Sequence, residues 1–462
     1  MGNKWPEFRL DEITTLIIDC PHSTPEWTDS GVIVLRSNNI RNGALDLANP
    51  SFTTEEGYLD RIKRAIPAED DIVLTREAPM GEVCIIPKGL KCCLGQRMVL
   101  IRADKTQVIP EYLLYAIQSS YIQNQISWNE GTGTTVSNIR IPNIKALKIP
   151  LPSLNIQRGI VSNLLSIDKK ISLNIATNQT LEQMSQTLFK SWFMDFDPVI
   201  DNALDAGNSI PEALQSRAEL RQKVRNSANF KPLPADIRAL FPAEFEETEL
   251  GWVPKGWQPQ SMHDLVESVS ITYPLSKTDK VIFLNTGDIE KGSFLHQNYS
   301  KTEGLPGQAK KSIKKGDILF SEIRPENKRY AFVHFEADDY VVSTKLMVLR
   351  AKNKINPLLP YFIITIEDNT KKLQRVAELR SGTFPQITFK ELEYIGLIMP
   401  NNDKIMELFI NSYLTPAYNK IIATKKTNMN FINLRDTLLP KLISGELSLE
   451  DLPDLVTQTE PA

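Results

Sequence analysis

The stretch "VIVLRSNNIRNG" at residues 32–43 returns as "VIFLNTGDIEKG" at 281–292, 249 positions later. Five of the twelve positions are identical: Val32/Val281, Ile33/Ile282, Leu35/Leu284, Ile40/Ile289 and Gly43/Gly292. Further pairs follow in the same order. "DDIVLTREAP" ending at Pro79 matches "GDILFSEIRP" ending at Pro325, and "VLIRA" ending at Ala103 matches "MVLRA" ending at Ala351. "GTTVSN" from Gly133 meets "GTFPQI" from Gly382, "IPLP" ending at Pro152 meets "LIMP" ending at Pro400, and "LFKSWF" from Leu188 meets "LLPKLI" from Leu438. The offset stays between 246 and 250 throughout. Solenoid and propeller repeats have periods of about 20 to 50 residues, so a period this long means one domain written twice.

Bulk properties fit that plan. A chain of 462 residues, 41% apolar and 24% charged, has room for substantial cores. The opening "MGNKWPEFRL" lacks the apolar segment of a secretory signal, and Pro6 stands where a myristoylation signal needs Ser or Thr. No run approaches the roughly 18 apolar residues of a membrane span, so the expected compartment is the cytoplasm, without a membrane partner. The four cysteines (Cys20, Cys84, Cys92, Cys93) have neither CxxC spacing nor a nearby His pair, and read as reduced, partly buried thiols rather than metal ligands. The net charge of -3 does not advertise nucleic-acid binding. Lys301, Lys310, Lys311, Lys314 and Lys315 nevertheless crowd one stretch of the second copy, and Arg61, Lys63 and Arg64 the matching part of the first, which suggests a shared charged face.

Each copy begins with short β-branched runs broken by Gly, Pro, Asn and Asp, such as "GVIVLRS", "DDIVLT", "GEVCIIP" and "RMVLIRA", which read as strands. "PEYLLYAIQSSYIQNQI" from Pro110 reads as a helix with proline in its first turn. Each copy then changes period. Leu164, Ile167, Ile171, Leu181 and Leu188 fall at spacings of three and four or their multiples, as do Tyr413, Ile421, Phe431, Leu434 and Leu438. These stripes predict two long helices too apolar on one side to stand alone in water, packed antiparallel as a coiled coil, with Pro416 as a kink. Asn174 and Asn178 sit on the seam, either as exposed amides or as buried ones that fix register. The expected fold is α+β: two similar mixed α/β domains (1–153 and 251–401) separated by two long antiparallel helices (154–197 and 402–447), with a pseudo two-fold internal repeat. A partly helical linker (198–250) and a tail (448–462) complete it.

Catalytic motifs are missing from the sequence. "GTGTTV" fails GxGxxG at its third glycine, "GDIEKGS" has Ser293 where a phosphate-binding loop needs Lys, and no "DPPY" or "NPPF" occurs. The best catalytic candidate is Asp317 with Glu326 and Lys328, whose spacing could hold Mg²⁺ in a metal-dependent nuclease. A coiled-coil scaffold without DNA binding is the other alternative.

Four segments resemble the specificity subunits of Type I restriction-modification systems. "DCPHSTPEWTDSGVIVLRSNNIRNG" (19–43) looks like the opening of their target recognition domains, and "ELGWVPKGW" (249–257) like the start of a second one. "NQTLEQMSQTLFKSWFMDFDP" (178–198) is similar to their central conserved region and "LRDTLLPKLISGEL" (434–447) to their distal one. The resemblance implies a non-catalytic subunit that binds a bipartite, asymmetric double-stranded DNA target, one half per domain. Two adenine methyltransferase subunits would dock on the conserved regions, and restriction subunits would join through the complex. No cofactor is expected in this chain; S-adenosylmethionine, ATP and Mg²⁺ would belong to the partners. Base reading needs Arg or Lys at guanine and Asn or Gln at adenine. In the first domain the candidates are Arg36, Asn38, Asn39, Arg76 and Gln96, with Thr134, Thr135 and Ser137 near the backbone. In the second they are Asn285, Lys310, Lys311, Arg324, Lys328, Lys345 and Gln386.

Overall fold

"IVL" (72–74) and "MVLI" (98–101) are unbroken apolar runs because both faces of their strands are covered. Successive side chains of a strand point to opposite faces. Ile72, Leu74, Val99 and Ile101 enter one core, with Tyr112, Leu113 and Leu164, while Val73, Met98 and Leu100 enter a second, with Leu35, Cys84 and Cys92. The later copy partitions its residues identically: Ile318, Phe320, Met347 and Leu349 in one core, Leu319, Leu346 and Val348 in the other.

The structure, a computed structural model, describes residues 4–128, 138–249 and 251–451. The chain forms two compact units, Met1–Ala176 with Thr424–Ala462, and Thr177–Ala423. In the first, a four-stranded antiparallel sheet runs in the order Thr14–Asp19, Met98–Ala103, Ile72–Thr75, Val83–Ile85. In the second, the order is Val266–Val269, Leu346–Ala351, Ile318–Ser321, Tyr330–Phe332. Each unit also holds a second sheet built on a parallel pair: Val32–Leu35 beside Cys92–Leu94, and Lys280–Leu284 beside Tyr340–Ser343. The copies differ in what precedes the central strand. The first has the helix Glu55–Arg61, where the second adds the strand Ala309–Ser312. The predicted helix from Pro110 is two, Pro110–Gln118 and Ser120–Trp128, with Ser119 in extended geometry between them.

An aspartate at the turn before the central strand is used alike in both units. The Asp71 carboxylate accepts from Arg102 Nε and Nη2 at 2.7 Å each and from the Ala68 amide at 2.8 Å. Asp317 accepts from Arg350 Nε at 2.8 Å, from Nη2 at 2.9 Å and from the Lys314 amide at 2.9 Å. This overturns the nuclease reading. Asp317 is fully buried under its arginine, Glu326 is exposed, and Lys328 pairs with Glu367 instead. Among the described residues no three His, Cys, Asp or Glu side chains converge in a manner that could hold a metal ion.

The stripes produce the long helices Leu154–Phe193 and Thr415–Ser444. In the first unit, Leu164, Ile167, Ile171, Phe431, Leu434 and Leu438 all belong to one core. Asp168 meets Arg435 at 3.2 Å, Lys170 lies over the Phe431 ring, and Asn174 Nδ2 donates to Asn428 Oδ1 at 2.7 Å. Numbers rise on one helix as they fall on the other, so the segments run antiparallel. Of the two seam amides, Asn178 is buried and Asn174 half-buried, and Asn428, which accepts from Asn174, also donates to the Ile171 carbonyl. In the second unit Leu188 and Tyr413 pack on a core containing Phe189, Trp192, Phe193, Phe409 and Leu414, and Ile421 is buried. A π-helical turn, Ile410–Leu414, precedes Pro416, and Pro440 lies inside the helix near its end.

The linker is more ordered than its composition suggests. Helices Asp197–Ala206 and Gln215–Arg225 are joined by a ladder in which Asp197 pairs with Arg217, Asp201 with Arg221 and Asp205 with Arg225, while Arg238 also reaches Asp205. The i, i+4 spacing on both helices puts three acids facing three arginines.

Asp317→Ala leaves Arg350, four-fifths covered, without its partner and is expected to destabilise the protein by about 3–5 kcal/mol. Asp71→Ala exposes an arginine already 40% accessible and is expected to cost less. Urea unfolding of the two variants checks the order. Asn428→Ala, which strands the Asn174 amide, is expected to cost about 1–3 kcal/mol in the same assay.

Candidate nucleic-acid interface

Because Val32–Leu35 and Cys92–Leu94 run parallel, the turns that follow them open on one edge. Leu35 lies opposite Leu94, and the Gly95 amide donates to the Leu35 carbonyl at 2.7 Å, so Arg36 and Gln96 become neighbours. The antiparallel sheet brings Asp19, Arg76 and Arg97 to the same edge: Asp19 is in register with Val99, and the Arg76 amide donates to the Arg97 carbonyl. The second unit repeats the construction. Leu284 lies opposite Val342, the Glu322 amide donates to the Lys345 carbonyl, and Ile323 bridges to Gln386, which gathers Asn285, Arg324, Lys345 and Gln386.

These side chains differ in what they are free to do. Arg36, Asn38, Lys310 and Arg324 are exposed. Arg36 lies over the indole of Trp27, its guanidinium carbon 4.9 Å from the ring centroid, which pre-orients it at little entropic cost. Gln96 donates to the His22 carbonyl at 2.6 Å and to Thr24 Oγ1 at 3.1 Å. Asn285 is half-buried and accepts from the Thr286 amide, and Lys345 is loosely paired with Glu322 at 3.7 Å. Others serve the frame. Asn39 is buried, accepts from the Arg36 amide and donates to the Asp46 carbonyl. Arg76 is held by Asp19 at 2.7 Å and by the Ile139 carbonyl, Lys328 by Glu367, and Lys311 by two carbonyls. Thr134, Thr135 and Ser137 lie outside the described residues.

Of the residues expected to form a common basic face, Lys63, Arg64, Lys301, Lys310, Lys314 and Lys315 are exposed, whereas two are drawn inward. Arg61 is buried, Lys311 points inward, Lys63 pairs with Asp60 and Lys315 with Glu336. The cysteines are all free and buried, and burial pushes Cys84 and Cys92 up to about 12, so they are inert packing groups.

Sequence reasoning missed Trp27, His22 and Arg97. His22 Nε2 stands 3.1 Å from Asp19 Oδ2, and Arg97 Nε 3.0 Å from Glu77 Oε2. Arg97 was within reach, since the 248-residue offset pairs it with Lys345. Left-handed backbone marks the same edge in both units: Ala78 (φ 43°) and Arg324 (φ 44°) are equivalent, and Arg97 (φ 68°) and Lys328 (φ 54°) join them. Such geometry costs roughly 1–3 kcal/mol at a non-glycine residue and collects where function fixes the backbone.

Comparison with known proteins gives the class. The family model described as "Type I restriction modification DNA specificity domain" matches residues 2–183 and 254–432. The chain belongs to this family: it is a specificity subunit of a Type I restriction-modification system, the non-catalytic member of the complex. It is 40% identical over 183 residues to the HindI specificity subunit of Haemophilus influenzae, a match covering 39% of each chain. It is 26% identical over 407 residues to the MjaIX specificity subunit of Methanocaldococcus jannaschii, covering 86% of this chain and 82% of that one. A crystal structure of the Type I system S subunit from M. genitalium shares the fold, with a TM-score of 0.51, 15% identity and 96% of both chains covered. Among the described residues no helix is long and apolar enough to cross a membrane.

Proposed function

We propose that each of the two domains reads one half of a split, asymmetric DNA target, and that the long helices set the distance between the halves. The observation that carries this reading is the pairing of a conserved frame with divergent edges. Strand order, the aspartate–arginine lock and the left-handed turns repeat, whereas Arg36, Gln96 and Arg97 stand where the second domain has Asn285, Thr344 and Lys345. One frame with two sets of side chains suits a reader of two different half-sites. Arginine forks guanine O6 and N7, and asparagine or glutamine fits adenine. Arg36, Asn38 and Gln96, with Asn285, Arg324, Lys345 and Gln386, are the readers on this account. Lys310 contacts phosphate, and Asn39, Arg76, Lys311 and Lys328 hold the backbone.

Two adenine methyltransferase subunits would dock on the helical regions, bringing S-adenosylmethionine, while ATP and Mg²⁺ serve restriction subunits joined to the same complex. A groove of about 830 Å³ in the second unit, lined in part by Leu181, Met184, Leu188, Tyr413, Pro416 and Ala417, supports such docking, since its surface is mainly apolar and lies on the two long helices and the π-helical turn before the second. The low overall charge is consistent with partners supplying part of the positive field around DNA.

Co-expression with the methyltransferase subunit followed by mapping of modified adenines tests the reading. Modification at one bipartite sequence is expected; a stable complex that modifies no such sequence would refute it. Within that system, Arg36→Ala is expected to cost about 1–3 kcal/mol on the cognate target and to relax one position of the first half-site. Lys310→Ala is expected to weaken binding to all sequences alike and to lower the slope of log K against log salt by about 1. Titrations at several salt concentrations separate the two effects.

A further inference from the structure

Each domain contains a cation that makes no ion pair among the described residues and donates to backbone carbonyls instead, buried in the first domain and half-buried in the second. Arg61 is 7% exposed, and its guanidinium donates only to backbone carbonyls: Nε to Leu94 at 2.6 Å, Nη1 to Ser23 at 3.0 Å and Nη2 to Pro21 at 3.1 Å. Lys311 Nζ donates to the carbonyls of Thr344 at 3.0 Å and Leu346 at 2.8 Å. Burial draws both side chains below their ordinary pKa, with Glu322 opposing the effect at Lys311. Taking a cation out of water without a counter-charge is costly. A neutral residue would fill the same space, so what these groups hold must matter.

They hold equivalent turns. The 248-residue offset pairs Gln96 and Arg97 with Thr344 and Lys345. Arg61 fastens Leu94, which ends the strand before Gly95 and Gln96, and on the other side fastens the Pro21–Ser23 loop to which Gln96 itself is bonded. Lys311 grips the carbonyls on either side of Lys345. The two cations lie in matching stretches of the repeat, 250 residues apart, but on different elements. Arg61 ends a helix, whereas Lys311 lies on a strand that the first domain lacks. Different elements thus deliver a cation to the same turn.

We infer that Arg61 and Lys311 are positioning residues for base reading, each fixing the peptide planes of the turn that presents Gln96 and Arg97 in the first domain and Lys345 in the second. Fixing the carbonyls on both sides of a residue fixes the direction in which its side chain leaves the backbone, and a reading group must be held to about 0.5 Å to discriminate bases. Neither cation touches DNA on this account; each acts through the turn. The inference rests on the proposed reading of split targets.

The test uses the full chain in complex with its methyltransferase subunits and compares wild type with Arg61→Met, Arg61→Lys, Lys311→Met and Lys311→Arg by mapping modified adenines and by thermal melting. Arg61→Met is expected to lower discrimination in the first half-site by roughly tenfold, the scale of one lost base contact, while the second half stays strictly read. Lys311→Met is expected to do the converse. Lys311→Arg, which keeps a cation with several donors, should largely restore reading, and Arg61→Lys, which cannot span three carbonyls, should restore it only in part. A folded Arg61→Met or Lys311→Met variant that reads both halves as strictly as wild type would overturn the inference, as would equal relaxation of both halves. If Arg61→Met does not fold, Arg61→Lys decides, since its partial loss must fall on the first half-site alone; if Lys311→Met does not fold, Lys311→Gln, uncharged and of similar length, takes its place under the same criterion. A wild-type complex that modifies no bipartite site would instead defeat the underlying reading, so the two failures are distinguishable.

Discussion

Parallel pairing of two strands is the constraint on which the candidate interface depends. Two antiparallel neighbours send their following turns to opposite edges; two parallel ones send both to the same edge. Val32–Leu35 beside Cys92–Leu94, and Lys280–Leu284 beside Tyr340–Ser343, therefore gather turn residues from distant parts of the sequence into one place in each domain. The adjoining antiparallel sheet then adds the turns after Thr75 and Ser321. Its position is pinned by the Asp71–Arg102 and Asp317–Arg350 locks, which tie the start of the central strand to the end of its neighbour.

This division explains how one frame can carry two specificities. The buried residues that define strand register and core partition must stay, because a slip of one residue would exchange the two faces of a strand covered on both sides. The turn side chains carry no such burden. Arg36 against Asn285, and Gln96 against Thr344, differ freely while the carbonyls around them remain fixed.

Much of the architecture was legible in the sequence because it is periodic. The repeat fixed the number of domains, the β-branched runs gave the central strands, and the stripe from Leu164 to Leu188 gave the long helix. The features that escaped are those made by contacts with backbone. Nothing local distinguishes Arg61, which ends a polar helix, from a solvated arginine; only the approach of Leu94, Ser23 and Pro21 makes it a buried clamp. Asn39 could have been foreseen as a cap, since it stands three residues after Arg36 at a turn, and Asp288 does the same for Asn285. The ladder of Asp197, Asp201 and Asp205 with three arginines was written at i, i+4 spacing on both helices, but its pairing across a loop has no local signature.

A chain in which residues 251–401 are replaced by a second copy of 1–153 tests most directly whether the two domains are independent readers of separate half-sites. Assembled with its methyltransferase subunits, it is expected to modify a symmetric target made of two inverted copies of the first half-site, with the spacing unchanged. Continued modification of the original asymmetric target, or modification of unrelated sequence by a stable complex, would contradict the account.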